Sequence, residues 1–244
     1  MIEHTDKWLL VSDVDDTLTG DDLAFAELAD ALANNRDRVR VALNSSRPWA
    51  SVERTVRDVF PDRFPIDASI TAMGTQIRVG DRPCEAWDTH LGDWPRDAIF
   101  ELMTSFGHRP HADEYQTLRK ASFAVPRDQQ ADVRNALAKA DLPVRIIASG
   151  TDDFDVLPTG AGKDHATRFL HELFELDAGH PLRLVVAGDS ANDLAMFQAA
   201  PRAIAMGNAR AELVEVMPVE TTFHAKARHA AGVLEGLRHF GVLV

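Results

Sequence analysis

The sequence predicts an α/β fold, a parallel sheet flanked by helices, with a smaller α+β unit inserted into it. Three observations predict this. Short apolar runs alternate with helix-period segments from residue 8 to about 77, the rhythm of βα units laid into a parallel sheet. Between about 79 and 157 the rhythm gives way to paired strands around one polar-faced helix. After Pro158 the α/β rhythm resumes and runs to a C-terminal helix.

Each element has its own justification. "WLLVS" (8–12) is short, apolar and followed by turn residues, so it predicts a buried strand. "DDLAFAELADALANN" (21–35) carries apolar residues at helical spacing, with Asp21 or Asp22 as N-cap. "VRVAL" (39–43) predicts a second strand, and "WASVERTVRDVF" (49–60) a second helix behind Pro48. "ASITAMGTQI" (68–77) is mostly apolar and broken at Gly74.

In the middle, "KASFAVP" (120–126) alternates like a half-buried strand and "RDQQADVRNALAKA" (127–140) predicts a helix. "VRIIAS" (144–149) and "FDVLP" (154–158) are strands joined through a "GTDD" turn. Beyond it, "GKDHATRFLHELFEL" (162–176) is an amphipathic helix with Ala166, Phe169, Leu170, Leu173 and Phe174 on one face. "RLVVAG" (183–188) and "RAIAM" (202–206) predict strands, and "ANDLAMFQAA" (191–200) and "HAAGVLEGLRHF" (229–240) helices. The predicted division is 1–78 with 158–244 as one domain and 79–157 as the inserted one. No internal repeat or long linker interrupts this pattern.

Composition bounds the function. The 244 residues carry 26 Lys+Arg against 38 Asp+Glu, a net charge of −12, which excludes nonspecific binding to nucleic acid or anionic membrane. Cys84 is the one cysteine, so no intramolecular disulfide forms and a reducing compartment is expected. "MIEHTDK" lacks the basic start and apolar run of a leader. No apolar stretch approaches the roughly 20 residues of a membrane span. The expectation is a soluble, cytoplasmic protein, monomeric, with a small-molecule partner.

Acidic residues gather where strands end. Asp13, Asp15, Asp16, Asp21 and Asp22 fall within ten residues after the first strand, and Asp189 and Asp193 follow "RLVVAG". Carboxyl ends of parallel strands carry the ligand site in open α/β sheets. Asp13, Asp15, Asp189 and Asp193 brought together would repel, and Mg2+, a hard cation that prefers oxygen, relieves that. Asp13 and Asp15, at i and i+2 of an extended segment, point the same way. A metal-held carboxylate is a competent nucleophile toward phosphorus. Its neighbour, set among like charges, is placed to protonate a leaving alkoxide and then activate water. Taken alone, the cluster also reads as an acidic turn.

Three further stretches bear on it. "LNSSRP" (43–48) offers the Ser45 hydroxyl and turn N–H groups at the same sheet edge, or simply a helix-entry loop. Lys163 opens a helix after a Gly-rich loop, where the helix dipole disfavours a cation, so a phosphate or crowded carboxylates must account for it. "GDSANDLAMF" (188–197) sets Asp189, Asn192 and Asp193 in a strand-to-helix turn, with Asp189 or Ser190 as an alternative plain N-cap.

"DVDDTLTGD", "NSSR", Lys163 and "GDSANDLAMF", in this order, resemble the four motifs of the haloacid dehalogenase-like (HAD) phosphatase superfamily. The resemblance implies a HAD-like Rossmannoid core and a set of roles. Asp13 is the nucleophile and a Mg2+ ligand. Asp15 is the acid/base with its carbonyl on the metal. Ser45 binds phosphate. Lys163 steadies nucleophile and phosphate, and Asp189 binds Mg2+. Asp193 supports Asp189 and Lys163, with Ser190 and Asn192 beside it.

The position of the insertion resembles the C2-type cap of the IIB branch. Over nearly its whole length the chain is similar to the sucrose-6-phosphate phosphatase family, through "LLVSDVDDTLTGDD", "SITAMGTQI", "LPVRIIASGTDDFDVLPTGAGKDHATRFL" and "HAAGVLEGLRHFGVL". In that family cap residues contact the sugar. The candidates for substrate contact here are Ser46, Arg47, Gln76, Lys120 and Asp155.

The sequence departs from the family at Ser45-Ser46-Arg47, where Thr-Gly-Arg is usual, and at Asp16, where Asn or Gly is usual. The stretch from about Cys84 to Asp113 also diverges. What the resemblance implies is a Mg2+-dependent phosphatase acting on sucrose 6-phosphate. Alternatives are glucosylglycerol-phosphate, mannosyl- or glucosyl-3-phosphoglycerate, or trehalose 6-phosphate, or a non-catalytic phosphosugar-binding module.

The ten histidines show no metal-ligand spacing and read as surface or structural residues, with His165, His224 and His229 the ones placed to approach the site. Trp8, Trp49, Trp87 and Trp94 read as packing residues. Cys84 has no recognisable base partner.

Overall fold

In the computed structural model, which describes residues 7–243, β1 (Trp8–Ser12) is the buried axis of an eight-stranded sheet. The opening "MIEHTD", read as no leader, lies outside the described residues. β1 leads to α1 (Asp22–Ala33), whose N-cap is Asp21: its carboxylate accepts from the Ala24 N–H at 3.0 Å, a contact worth about 1 kcal/mol. β2 (Val39–Asn44), α2 (Trp49–Val59) and β3 (Ala68–Thr71) follow. β4 (Gln76–Val79) and β5 (Arg82–Pro83) turn back antiparallel at the sheet edge.

α3 (Glu85–Leu91) and α4 (Arg96–Ser105) lead to a second, four-stranded antiparallel sheet. Its strands are β6 (Arg109–Pro110), β7 (Ala121–Ala124), β8 (Val144–Ser149) and β9 (Asp153–Pro158), with α5 (Gln130–Lys139) after β7. α6 (Lys163–Ala178) returns the chain to the first sheet, and β10 (Arg183–Gly188) pairs parallel with β1. α7 (Leu194–Ala199), β11 (Ala203–Ala205), α8 (Ala211–Val214), β12 (Thr222–His224) and α9 (His229–His239) complete it. The first sheet runs β12-β11-β10-β1-β2-β3-β4-β5, and the second β6-β7-β9-β8.

The apolar strands are buried on both faces, which is why they read as unbroken runs. Leu10, Val41, Leu43 and Val185 pack with Phe25, Leu28 and Leu32 of α1 and Val233 and Leu237 of α9. Leu9, Val11, Ala42 and Val186 face the opposite layer, with Ala166, Leu170 and Phe174 of α6. Trp87 packs in that same layer, 4.9 Å from the Phe169 ring, and Trp94 against the core of the second sheet.

The second sheet has helices on one face. Phe123, Phe154 and Val156 pack on Ile99 and Met103 of α4 and Val133 and Leu137 of α5. Ser122 and Asp155 alternate with those residues, so they lie on the other, polar face, which is turned toward the first sheet. No described helix is long and apolar enough to cross a membrane.

Candidate active site

The site lies where strand order reverses. The chain leaves β1 toward β2 and β3, and returns only later to set β10 on the other side of β1. Such a switch point opens a crevice at the carboxyl ends of the strands. Asp13 follows β1 and Asp189 follows β10, and the Asp13 N–H donates to the Ala187 carbonyl at 2.9 Å, which sets the two loops side by side. Lys163, the first residue of α6, donates from Nζ to Asp13 Oδ1 and to Asp193 Oδ1, each at 2.6 Å. Exposure is 6% for Asp13, 1% for Lys163, 4% for Asp189 and 0% for Asp193.

Burial dominates the electrostatics. It pushes the Asp13 carboxyl well above its usual range; Lys163 pulls it back, and the charges of Asp193 and Asp189 add to the rise. Burial also pushes Asp189 up to about 6, again with help from Asp193. For Lys163 burial favours the neutral amine, but Asp13 and Asp193 outweigh it and hold the amine charged, above its ordinary value. One buried cation thus serves three buried carboxylates, and negative charge remains in excess.

The donor set fits Mg2+. Ligand oxygens of Asp13, Asp189 and Asp193 lie within 4.8 Å of one another. Asp193 is already engaged, Oδ1 by Lys163 and Oδ2 by the N–H groups of Asp189 (3.1 Å) and Ser190 (3.2 Å). Asp13 Oδ2 meets no hydrogen-bond donor among the described residues. With the Asp189 carboxylate it makes a hard, all-oxygen set suited to a small divalent cation that keeps waters in its shell.

A cavity of about 510 Å³ opens above these groups, between the two sheets. Asp13, Asp15, Ser46, Arg47, Lys120, Asp155, Asp189, Ser190 and Asn192 all line it. Ser45 lies just beneath, buried, its Oγ accepting from the Arg47 N–H at 3.1 Å, so its hydroxyl hydrogen remains to be donated. The Ser45–Arg47 loop is tied to the β3–β4 turn: Ala72 N–H donates to Arg47 O and Met73 N–H to Ser45 O, at 2.7 and 3.2 Å. Gly74, at φ 82, packs so closely on Gly162 that a Cβ would lie 2.3 Å from its carbonyl oxygen. One turn therefore seats both the Ser45 loop and the residue before Lys163.

Asp15 differs from its expected setting. Its side chain is 53% exposed, and its ionic partner is a cation, Arg47, with Nε 2.8 Å from Oδ2. Arg47 Nη2 and Asn192 Oδ1 are buried without a partner among the described residues. Buried polar atoms are normally satisfied, so a polar ligand or water belongs there.

Lys120 and Asp155 are buried together on the second sheet, 3.2 Å apart, with Ser122 Oγ donating to Asp155 Oδ1 at 2.6 Å. Lys120 Nζ also reaches the Ser46 carbonyl at 3.3 Å, joining the two sheets across the cavity. Gln76 lies elsewhere. Its Oε1 accepts from the Trp49 N–H and the Thr71 hydroxyl, both at 3.1 Å, and it does not line the cavity. It holds the start of α2 through the Trp49 N–H.

Other residues at the site carried no sequence signal. Thr17 Oγ1 donates to Asp189 Oδ1 at 3.3 Å. The Arg210 N–H donates to the Asp189 carbonyl at 2.8 Å, and His111 sits 3.3 Å from Asp153 in the cavity wall. Asp16 stands at φ 58, the left-handed region, which explains why Asn or Gly is usual there. His229 contacts the Asp16 carbonyl, whereas neither His165 nor His224 lines the cavity.

A switch-point carboxylate site under a second sheet defines a HAD-fold protein with a cap. Residues 6–241 match the family model of sucrose-6F-phosphate phosphohydrolase, and the chain belongs to that family. It is 29% identical to sucrose-phosphatase 1 of Nicotiana tabacum, over 97% of this chain and 60% of that protein. The chain thus spans about three-fifths of the length of the tobacco sucrose-phosphatases it matches. It is 32% identical to mannosylfructose-phosphate phosphatase of Agrobacterium fabrum, over 96% of this chain and 97% of that one. A crystal structure of the sucrose-phosphatase of Synechocystis, in complex with sucrose and phosphate, superposes with a TM-score of 0.85 at 26% identity, covering 97% of this chain and 98% of that one.

Proposed function

We propose that the protein is a Mg2+-dependent phosphatase that hydrolyses a sugar phosphate, with sucrose 6-phosphate as the leading substrate. The observation that carries this reading is Lys163 between Asp13 and Asp193. It fixes one oxygen of a buried carboxylate that lines the cavity and leaves the other, Asp13 Oδ2, without a hydrogen bond among the described residues.

Asp13 Oδ2 attacks phosphorus, and the bond from phosphorus to the sugar oxygen breaks as Asp15 gives that oxygen its proton. Water then attacks the phosphorus of the Asp13 phosphoester and yields its proton to Asp15; the Asp13–phosphorus bond breaks and inorganic phosphate leaves. Ser45 and Arg47 offer donors to the phosphate oxygens, and Lys163 offsets the charge of Asp13 throughout. Asp13 and Asp189 would hold Mg2+, which when bound would supply neutralisation of the phosphoryl charge and of these acids.

The second sheet, in the unit at 79–157, selects the sugar as a cap, with Lys120 and Asp155 on its polar face. The sucrose-phosphatase relatives support sucrose 6-phosphate. The full-length match to a mannosylfructose-phosphate phosphatase favours a second reading, a different disaccharide phosphate on the same chemistry. The single cysteine supports placing the activity in the cytoplasm.

The test is phosphate release from a panel that includes sucrose 6-phosphate, mannosylfructose phosphate and glucosyl-3-phosphoglycerate, with Mg2+ and with excess EDTA. Release from one disaccharide phosphate, abolished by EDTA, is expected. No release from any member, or full release in EDTA, overturns the reading.

A further inference from the structure

We propose that Asn208 and His229 are positioning residues for Asp15: together they clamp the backbone carbonyl of Asp16 and so fix the turn from which Asp15 moves its proton. This rests on the phosphatase reading above.

The two reactive acids are held very differently. Asp13 is buried and anchored by Lys163. Asp15 rides an exposed turn, with Arg47 as the ionic partner of its side chain. A proton donor must come within hydrogen-bond reach of the atom it serves, so a solvated turn needs a restraint.

Asp16 supplies the handle. At φ 58 its backbone is left-handed, a conformation Asp tolerates better than most residues. Two side-chain donors meet its carbonyl: Asn208 Nδ2 at 2.8 Å and His229 Nδ1 at 3.0 Å. A carbonyl only accepts, so the ring nitrogen that meets it carries the proton. The clamp is braced from within, because the His229 N–H donates to Asn208 Oδ1 at 2.8 Å.

The seat of the imidazole is built for it. A Cβ on Gly20 would lie 2.7 Å from the His229 ring. His229 itself sits at φ 50, a backbone conformation that a β-carbon disfavours and that surrounding contacts must maintain. Neither clamp residue lines the cavity, so both act through Asp16. Asn208 comes from the loop after β11, and the same loop presents the Arg210 N–H to the Asp189 carbonyl. One loop therefore sets the proton-transfer turn in register with the metal-site turn.

A proton matters only where the leaving group needs one. A sugar alkoxide does, and p-nitrophenolate does not. kcat/KM on either substrate reports the steps up to the Asp13–phosphorus bond, so comparing the two isolates proton donation. His229→Ala and Asn208→Ala should lower kcat/KM on the best sugar phosphate by about 10- to 100-fold, and on p-nitrophenyl phosphate by less than about 3-fold.

His229→Asn keeps an N–H donor at the δ position and tolerates positive φ, and should recover most of the loss. If His229→Ala does not fold, Asn208→Asp, which sets an acceptor against the Asp16 carbonyl, gives the same comparison. Equal losses on both substrates, or no loss on either, overturn the clamp. A wild-type protein inactive on both overturns the phosphatase reading itself, a result distinct from an active wild type with unaffected variants.

Discussion

Lys163 Nζ lies 2.6 Å from Asp13 Oδ1 although 150 positions separate them, and the same ammonium is 2.6 Å from Asp193. Removing it leaves two buried carboxylates without their cation. Lys163→Met should cost about 3–5 kcal/mol of stability at neutral pH, the range for breaking a buried ion pair from one side, and lower kcat/KM by at least about 10³-fold. Denaturant unfolding and phosphate release measure the two. A variant of wild-type stability would mean that the acids find another way to shed charge.

Asp13→Asn keeps the shape of the side chain and removes the nucleophile. Turnover should fall by at least about 10⁴-fold while the fold persists. The checks are phosphate release and the circular dichroism melt. Near-normal release would remove Asp13 from the chemistry.

Asp189 gives a pH prediction. Its carboxyl is raised from 3.8 to about 6 by burial and by Asp193. The folded chain therefore holds that proton more tightly than the unfolded one. Its contribution to stability is full below about 4 and is lost as pH rises through about 6. Mg2+ competes with the proton for the same oxygen, so the increase in Tm on adding Mg2+ should be small near pH 4 and grow across that window. Melts with and without Mg2+ over a pH series test it; an increment independent of pH would argue against Asp189 as a ligand.

Lys120 joins the second sheet to the Ser45–Arg47 loop. Lys120→Met strands Asp155 as a buried acid and unlinks the Ser46 carbonyl. KM for the sugar phosphate should rise by about 10- to 100-fold, and Tm should fall, since a buried partner is lost. Steady-state kinetics and a melt decide it, and an unchanged KM would take the residue out of substrate capture.

What the sequence made legible follows from burial. β1, β2 and β10 are covered on both faces and read as apolar runs; α1 and α6 show their buried stripes directly. β5 and β6, two residues each and exposed, left no pattern to find. "ANDLAMFQAA", read as one helix, divides into a 3-10 turn at Ala191–Asp193 and then α7, because the Asp193 carboxylate folds back onto the N–H groups of Asp189 and Ser190.

The site divides in the same way. Asp13, Lys163 and Asp189 sit at strand ends or a helix start, where position can be inferred from period. Gln76 reads in the sequence as a substrate contact, because a hairpin side chain facing a helix N-terminus looks like one facing a ligand. Asn208 and His229 act on a backbone carbonyl, a contact with no residue-type signature.

The strand order has a consequence for the nascent chain. β2 follows β1 closely in the chain and covers one of its edges, but the other edge stays bare until Arg183–Gly188 emerges to cover it. Throughout that interval a ladder of unsatisfied amides flanked by Leu9, Leu10 and Val11 is open to any passing strand. The arrangement that creates the crevice between β1 and β10 also leaves that edge adhesive until β10 has been made, so the yield in a cell should depend on holdase chaperones that occupy it in the interval.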